Sequence, residues 1–176
     1  MLDDASRAAV RAALIDAFAL KALPRAGWVR VGVRRPESVA AHSWGIGWLV
    51  LALSPPGIDR GRALAIAVIH DLAEARVGDL TPYDGIDKEE KRRRERAAME
   101  ALLAPLPDAA GLLALWWEYE AGTSAEGRWV KALDKLDMAL QAAIYAASDG
   151  IDPAEFVDSA LARLDDASLR ALVISG

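Results

Sequence analysis

A chain of 176 residues, with 26 acidic and 21 basic side chains and a net charge of −5, is long enough for one domain burying about 70% of its unfolded-chain surface, and it lacks the general basic field that holds a nucleic-acid polymer. It contains no cysteine, which excludes disulfides and thiolate metal sites. The acidic N-terminal stretch MLDDASRAAV and the short longest apolar run, WGIGWLVLAL, fit neither a signal peptide nor a bilayer span, so the expectation is a soluble, cytoplasmic protein with no membrane partner.

Alanine and leucine dominate, apolar residues recur at three and four, and β-branched alternation is missing. The chain therefore reads as all-α: a single compact bundle of about six to eight helices over residues 1–176, with no repeat, low-complexity tract or linker. A first helix covers about 4–22. The segment LPRAGWVRVGVRRPES then runs as a loop of about a dozen residues, long enough to suggest a functional role. Helices at about 37–53 and 60–76 are separated by SPPGID, whose prolines and Gly57 end one while Asp59 caps the next. RVGDLTPYDGI is a second loop, after which Asp87 and Glu90 form a capping-box pattern opening a charged helix over about 88–104. Its run KEEKRRRERAAME reads as a solvated face with opposite charges at helical spacing. Trp116, Trp117 and Tyr119 in LWWEYEAG read as core or dimer interface. Thr123 with Glu126 opens the long helix WVKALDKLDMALQAAIYAAS, and Asp152-Pro153 with Glu155 opens the last one.

The apolar run ALAIAVI leads into VIHDLAEARVGDLTPYDG, where a histidine and an aspartate stand side by side on a face that admits neither without a partner. On a helix His70 and Asp71 lean toward one point, and Glu74 follows one turn on at i+4 and i+3. The other histidine, His42 in PESVAAHSWGIGWLV, has the same small and apolar setting; Trp44 and Trp48, four apart on one face, read as core packing near it. In KALDKLDMALQAA, Asp134, Asp137 and Gln141 form a polar stripe at i, i+3 and i+7. An unpaired buried carboxylate costs several kcal/mol. Two imidazoles and two carboxylates from three helices, His42, His70, Asp71 and Asp134, make a mixed N/O set for one divalent ion such as Mn²⁺ or Co²⁺, with room left for water and substrate. Taken singly, each residue has a plainer reading: a hydrogen-bonded core histidine, or an Asp134 paired with Arg128 or Lys131 on its own helix. The order is more telling: a histidine, a His-Asp doublet about 28 residues later, and a helical aspartate about 63 residues after that.

That order resembles the HD-domain metal-dependent phosphohydrolases. The stretches LPRAGW, RPESVAAHS, HDLAEARVGDLTPYDGIDKEEK and LWWEYEAGTSAEGRWVKALDKLDMALQA, spread over about residues 18–146, are similar to those of 5′-deoxynucleotidases of the HD domain-containing protein 2 type. The resemblance implies an all-helical homodimer that hydrolyses deoxyribonucleoside 5′-monophosphates to the deoxyribonucleoside and phosphate, with one divalent metal on His42, His70, Asp71 and Asp134. It further implies Glu74 as the catalytic acid/base, Asp79 as a sugar contact that disfavours a 2′-hydroxyl, and Arg25 with Trp28 as holders of phosphate and substrate. Arg30, Arg34 and Arg35 stand in the same loop as Arg25 and compete for its role. Asp79 reads equally well as an aspartate that stabilises its own turn. Members commonly carry an acidic residue just before the first histidine, whereas this chain has Ala41, which leaves the hydrogen-bond partner of His42 open. Two other functions remain: an HD-domain phosphohydrolase of another phosphoester, and a non-catalytic module that binds metal and nucleotide. A two-iron oxygenase is disfavoured, because it needs more ligands than two histidines supply.

Overall fold

The computed structural model describes residues 3–174. In chain order the helices are α1 Asp4–Ala17, α2 Ala26–Arg30, α3 Val39–Leu53, α4 Arg60–Ile69, α5 Glu74–Val77, α6 Lys88–Leu103, α7 Ala109–Ala121, α8 Ala125–Asp149, α9 Ala154–Leu161 and α10 Ala167–Ile174. Single 3₁₀ turns lie at Phe18–Lys21 and Pro82–Asp84. Eight of the helices have eight residues or more, in line with the expected all-α bundle, and among the described residues there is no strand.

The 25-residue α8 is the axis of the molecule, with α3, α4, α7, α9 and α10 packed around it. Its apolar positions Val130, Leu133, Leu136 and Ala139 recur at three and bury against Ile46 and Val50 of α3 and Ile66 of α4. A second cluster, centred on Met99 and Trp116, joins α6 and α7 to the end of α4. A third, Trp28, Val33, Tyr145 and Phe156, ties the segment after α2 to α8 and α9. That segment is also pinned by Arg25 N–H donating to the Glu37 carbonyl and Val39 N–H to the Leu23 carbonyl, an isolated bridge between Pro24 and Ser38.

Several local expectations are corrected. The helix anticipated over 60–76 stops at Ile69. Residues 70–73 form tight turns, with Leu72 N–H on the Ile69 carbonyl and Glu74 N–H on the Asp71 carbonyl, both at 3.0 Å. These are 3₁₀-type bonds, which narrow the chain and bring successive residues onto a shorter turn. The first helix likewise ends at Ala17 and continues as a 3₁₀ turn, and the loop after it carries the short α2. The cap of α8 is Ser124, not Thr123: its Oγ accepts the Gly127 N–H at 2.9 Å, and Glu126 instead accepts the Asp59 N–H at 3.0 Å. Asp87 does cap α6, but Glu90 turns outward to Arg93 and Arg94 rather than back to the cap. Trp44 and Trp48 are not core: they share a face, as their spacing requires, but it is the outer one, at 73% and 57% exposure. The inner face of α3 is taken by His42, Ile46, Leu49 and Val50. Among the described residues no helix is long and apolar enough to cross a membrane.

Candidate functional site

The end of α4, the second turn of α3 and the middle of α8 meet at one buried point. Ser38 caps α3, accepting the Ala41 N–H at 3.1 Å, and so fixes the turn from which His42 projects inward. His42 Nδ1 lies 2.7 Å from Asp137 Oδ2, which can only accept, so that nitrogen carries the hydrogen. His70 Nδ1 lies 2.8 Å from the Ala67 carbonyl and is a donor for the same reason. In a neutral ring each Nε2 then presents a lone pair, and both Nε2 atoms are buried and without a hydrogen-bond partner.

Those lone pairs face carboxylates. Asp71 Oδ2 is 3.0 Å from His70 Nε2 and 3.7 Å from His42 Nε2, and Asp134 Oδ1 is 3.3 Å from His42 Nε2. Lone pairs facing anions in a dry interior repel unless a positive charge sits between them. Donor atoms of His42, His70 and Asp71 lie within 4.8 Å of one another, and Asp134 adjoins through His42. Imidazole and carboxylate without thiolate fit a divalent transition ion. Asp134 is oriented by its second oxygen, which accepts the Tyr119 hydroxyl at 2.9 Å and the Lys135 ammonium at 2.8 Å.

Electrostatics follow from this crowding. Burial opposes ionisation of Asp134, yet Lys135 and His42 hold its carboxyl well below the usual range. Burial and the neighbouring Arg25 oppose a proton on His42 Nε2, yet Asp134 and Asp137 favour one and raise the pKa to about 9; a cation bound between Nε2 and Asp134 would take that proton's place. Glu74, at the start of α5, is buried with Oε2 unpartnered; burial first, then Asp71 and Asp79, push its carboxyl well above the ordinary value. Arg25 is buried as well, but Asp71, Asp79, Asp134 and Glu74 keep it charged.

Above these groups opens a cavity of about 640 Å³. Seven of the eight residues anticipated from the sequence line it: Arg25, Trp28, His70, Asp71, Glu74, Asp79 and Asp134. His42 stands behind them. Of the loop arginines, Arg25 reaches the centre, its Nη1 3.4 Å from Asp71 Oδ2. Arg30 pairs with Glu155 and covers the Tyr83 ring, and Arg34 donates to Asp149 at 2.9 Å. Trp28 is a wall, 2% exposed, its indole N–H given to Glu37 at 2.9 Å and its ring 4.2 Å from Phe156. Asp79 Oδ2 accepts the Ala26 N–H at 2.7 Å, so it ties the second loop to the start of α2. The charged face of α6 is largely solvated as expected, but Lys91 and Glu95 turn inward, Lys91 donating to the Leu80 carbonyl at 2.7 Å.

Sequence reasoning missed the partners of the ligands. Asp137 was visible only as part of a stripe, and Tyr119 only as a core aromatic. Neither carries a local signal of its role, because each partner arrives from another helix or from a turn of unknown phase.

The HD domain family model matches residues 17–170. The human 5′-deoxynucleotidase HDDC2 is 43% identical over 128 residues, 72% of this chain and 63% of that protein. The 5′-deoxynucleotidase hdd1 of Schizosaccharomyces pombe is 41% identical over 128 residues, 69% of this chain and 65% of that protein. The chain thus spans a little under two thirds of the length of these relatives. Among solved structures, a conserved hypothetical protein from Pyrococcus furiosus superposes with a TM-score of 0.76 at 34% identity, covering 93% of this chain and 96% of that one. A predicted metal-dependent phosphohydrolase from Magnetospirillum magnetotacticum gives 0.74 at 29% identity, covering 99% and 93%. With a matching family model over most of its length and its His-Asp doublet at the floor of the cavity, the chain belongs to the HD-domain family.

Proposed function

We propose that this chain hydrolyses deoxyribonucleoside 5′-monophosphates to the deoxyribonucleoside and phosphate, using one divalent cation held by His42, His70, Asp71 and Asp134. The observation that carries the reading is the pair of buried, unpartnered imidazole Nε2 atoms facing Asp71 and Asp134, with Arg25 and Glu74 beside them. The substrate comes from the 5′-deoxynucleotidase names of the relatives.

A divalent cation in this set neutralises phosphate charge and acidifies a water. Arg25, held charged, offers paired N–H donors to the phosphate oxygens. Water forms the new P–O bond as the bond from phosphorus to O5′ breaks. Glu74 takes the proton from the water and returns it to the departing O5′, so that charge and atoms balance; a carboxyl of raised proton affinity suits both halves of that transfer. Asp79 offers the oxygen not engaged by Ala26 to a sugar hydroxyl and disfavours a 2′-hydroxyl. Trp28 walls the cavity.

The same reading includes a homodimer. Trp44, Trp48 and Leu51 on α3, and Leu140 and Ile144 on the adjoining α8, lie exposed on two packed helices. Such a concentration of apolar side chains is rarely left to water. Trp48→Lys is expected to convert a dimer into monomers in sedimentation velocity; an unchanged sedimentation coefficient would remove this face from the assembly.

The direct test is phosphate release from a panel of 5′-dNMPs and 5′-NMPs by chelator-stripped protein, with and without Mn²⁺ or Co²⁺ restored. Metal-dependent release favouring the deoxy series supports the proposal. Release from a different phosphoester alone replaces the substrate. Tight metal or nucleotide binding without turnover makes the chain a binding module.

A further inference from the structure

We infer that Asp137 is the positioning residue for His42, and that Gly45 carries no side chain because Asp137 occupies the space a Cβ would fill. The inference rests on the proposal that His42 holds a metal through Nε2.

Three observations converge. First, the 2.7 Å contact between Asp137 Oδ2 and His42 Nδ1 sits on the far edge of the imidazole from Nε2, so Asp137 is not itself a member of the candidate ligand set. It fixes the tautomer and the ring plane, as a carboxylate does behind a metal-bound histidine. Second, neighbouring alternatives do not do this. Ala41 has no side-chain acceptor, and Glu37, though close enough to group with His42 and Asp137, gives its Oε1 to the Trp28 indole. Third, α3 and α8 pack so closely here that a Cβ built on Gly45 falls 2.2 Å from Asp137 Oδ1 and 3.3 Å from its Cγ. Gly45 lies in the middle of α3, where glycine weakens a helix relative to alanine, so its presence calls for a packing reason, and Asp137 supplies one. The stripe Asp134, Asp137 on α8 thus serves one histidine twice: Asp134 from the Nε2 side, Asp137 from the Nδ1 side.

The same helix contains its own control. A Cβ on Gly47 meets nothing nearer than Leu64 Cδ2 at 3.7 Å, an ordinary contact. The test compares the wild-type 176-residue chain with Gly45→Ala, Gly47→Ala, Asp137→Ala and the Gly45→Ala/Asp137→Ala double variant. Two readouts are taken on chelator-stripped protein: the Co²⁺ dissociation constant by chelator competition, and the visible absorption spectrum of bound Co²⁺. Gly45→Ala and Asp137→Ala are each expected to weaken Co²⁺ binding by about 10–100-fold and to alter the spectrum. Gly47→Ala is expected to stay within about twofold of wild type. The double variant should bind no more weakly than Asp137→Ala alone, since Gly45 acts through Asp137. Should Asp137→Ala fail to fold, the Gly45 and Gly47 pair decides by itself, alanine being the better helix former at both positions. Equal affinities and spectra for Gly45→Ala and Gly47→Ala, or fully additive losses in the double variant, overturn the inference while leaving the metal reading in place. A wild type that binds no Co²⁺ overturns both.

Discussion

The two sides of the cavity are held by different means. On one side, His42, His70 and Asp134 stand on or at the end of helices of ten residues or more. Each has its other polar atom engaged: His42 by Asp137, His70 by the Ala67 carbonyl, Asp134 by Tyr119 and Lys135. On the other side, Arg25 and Asp79 come from segments between the longer helices, and Arg25 reaches a side-chain partner only at 3.4 Å, on Asp71. Asp79 caps the turn that begins at Ala26, and Arg25 keeps its charge through Asp71, Asp79, Asp134 and Glu74. A side chain fixed by a helix and a second hydrogen bond keeps its geometry when a neighbour changes. One held on a loop by a balance of charges from several elements does not. The ligand side should therefore fail residue by residue and the substrate side as a group.

The sharpest way to break the contrast is His70→Ala. It removes a proposed ligand from the stiff side without touching a loop, and is expected to cost about 10³-fold or more in phosphate release together with Co²⁺ or Mn²⁺ binding. Thermal melts add a second readout: a divalent ion should raise the Tm of wild type but not of the variant, because only binding to the folded state stabilises it. A variant that is still stabilised by the ion would take His70 out of the ligand set. Glu74→Gln comes next, with an expected loss in kcat of about 10²–10⁴-fold and unchanged metal content, the pattern of a proton carrier beside the ligands. Lost metal content would move Glu74 into the ligand set instead.

The same division runs through what the sequence makes legible. His42, the His70-Asp71 doublet and Asp134 could be read because each interrupts an apolar helix pattern, and the period of a helix is local information. The end of α4 at Ile69 could not, since residues 70–77 include no proline or glycine and propensity reads straight through to Gly78. Spacing told that Trp44 and Trp48 share a face but not which way it points, because α3 is apolar nearly all round and only packing against α4 and α8 selects its inner side. The contacts Asp137 to His42 and Tyr119 to Asp134 join positions 95 and 15 residues apart. No periodicity encodes such pairings. On the loop side Arg25 was one of four arginines within reach, and what singles it out is the acidic surround assembled by α5, α8 and the second loop.

The smallest expected effect, and the one that bears most directly on the loop side, concerns Asp79. Its carboxylate is assigned two tasks: one oxygen holds the Ala26 N–H, the other is proposed to meet the sugar. Asp79→Asn keeps an oxygen for Ala26 and so preserves the loop, while it removes the charge and one acceptor. Asp79→Ala removes both tasks. If Asp79 discriminates sugars, both variants should lower the ratio of kcat/KM for a 5′-dNMP over the matching 5′-NMP by about five- to tenfold, because the site then no longer turns the 2′-hydroxyl away. If it only ties the loops together, Asp79→Asn should behave as wild type, and Asp79→Ala should weaken both substrates alike with the ratio unchanged. The two variants thus separate specificity from scaffolding on the side of the cavity where one residue does the work of several.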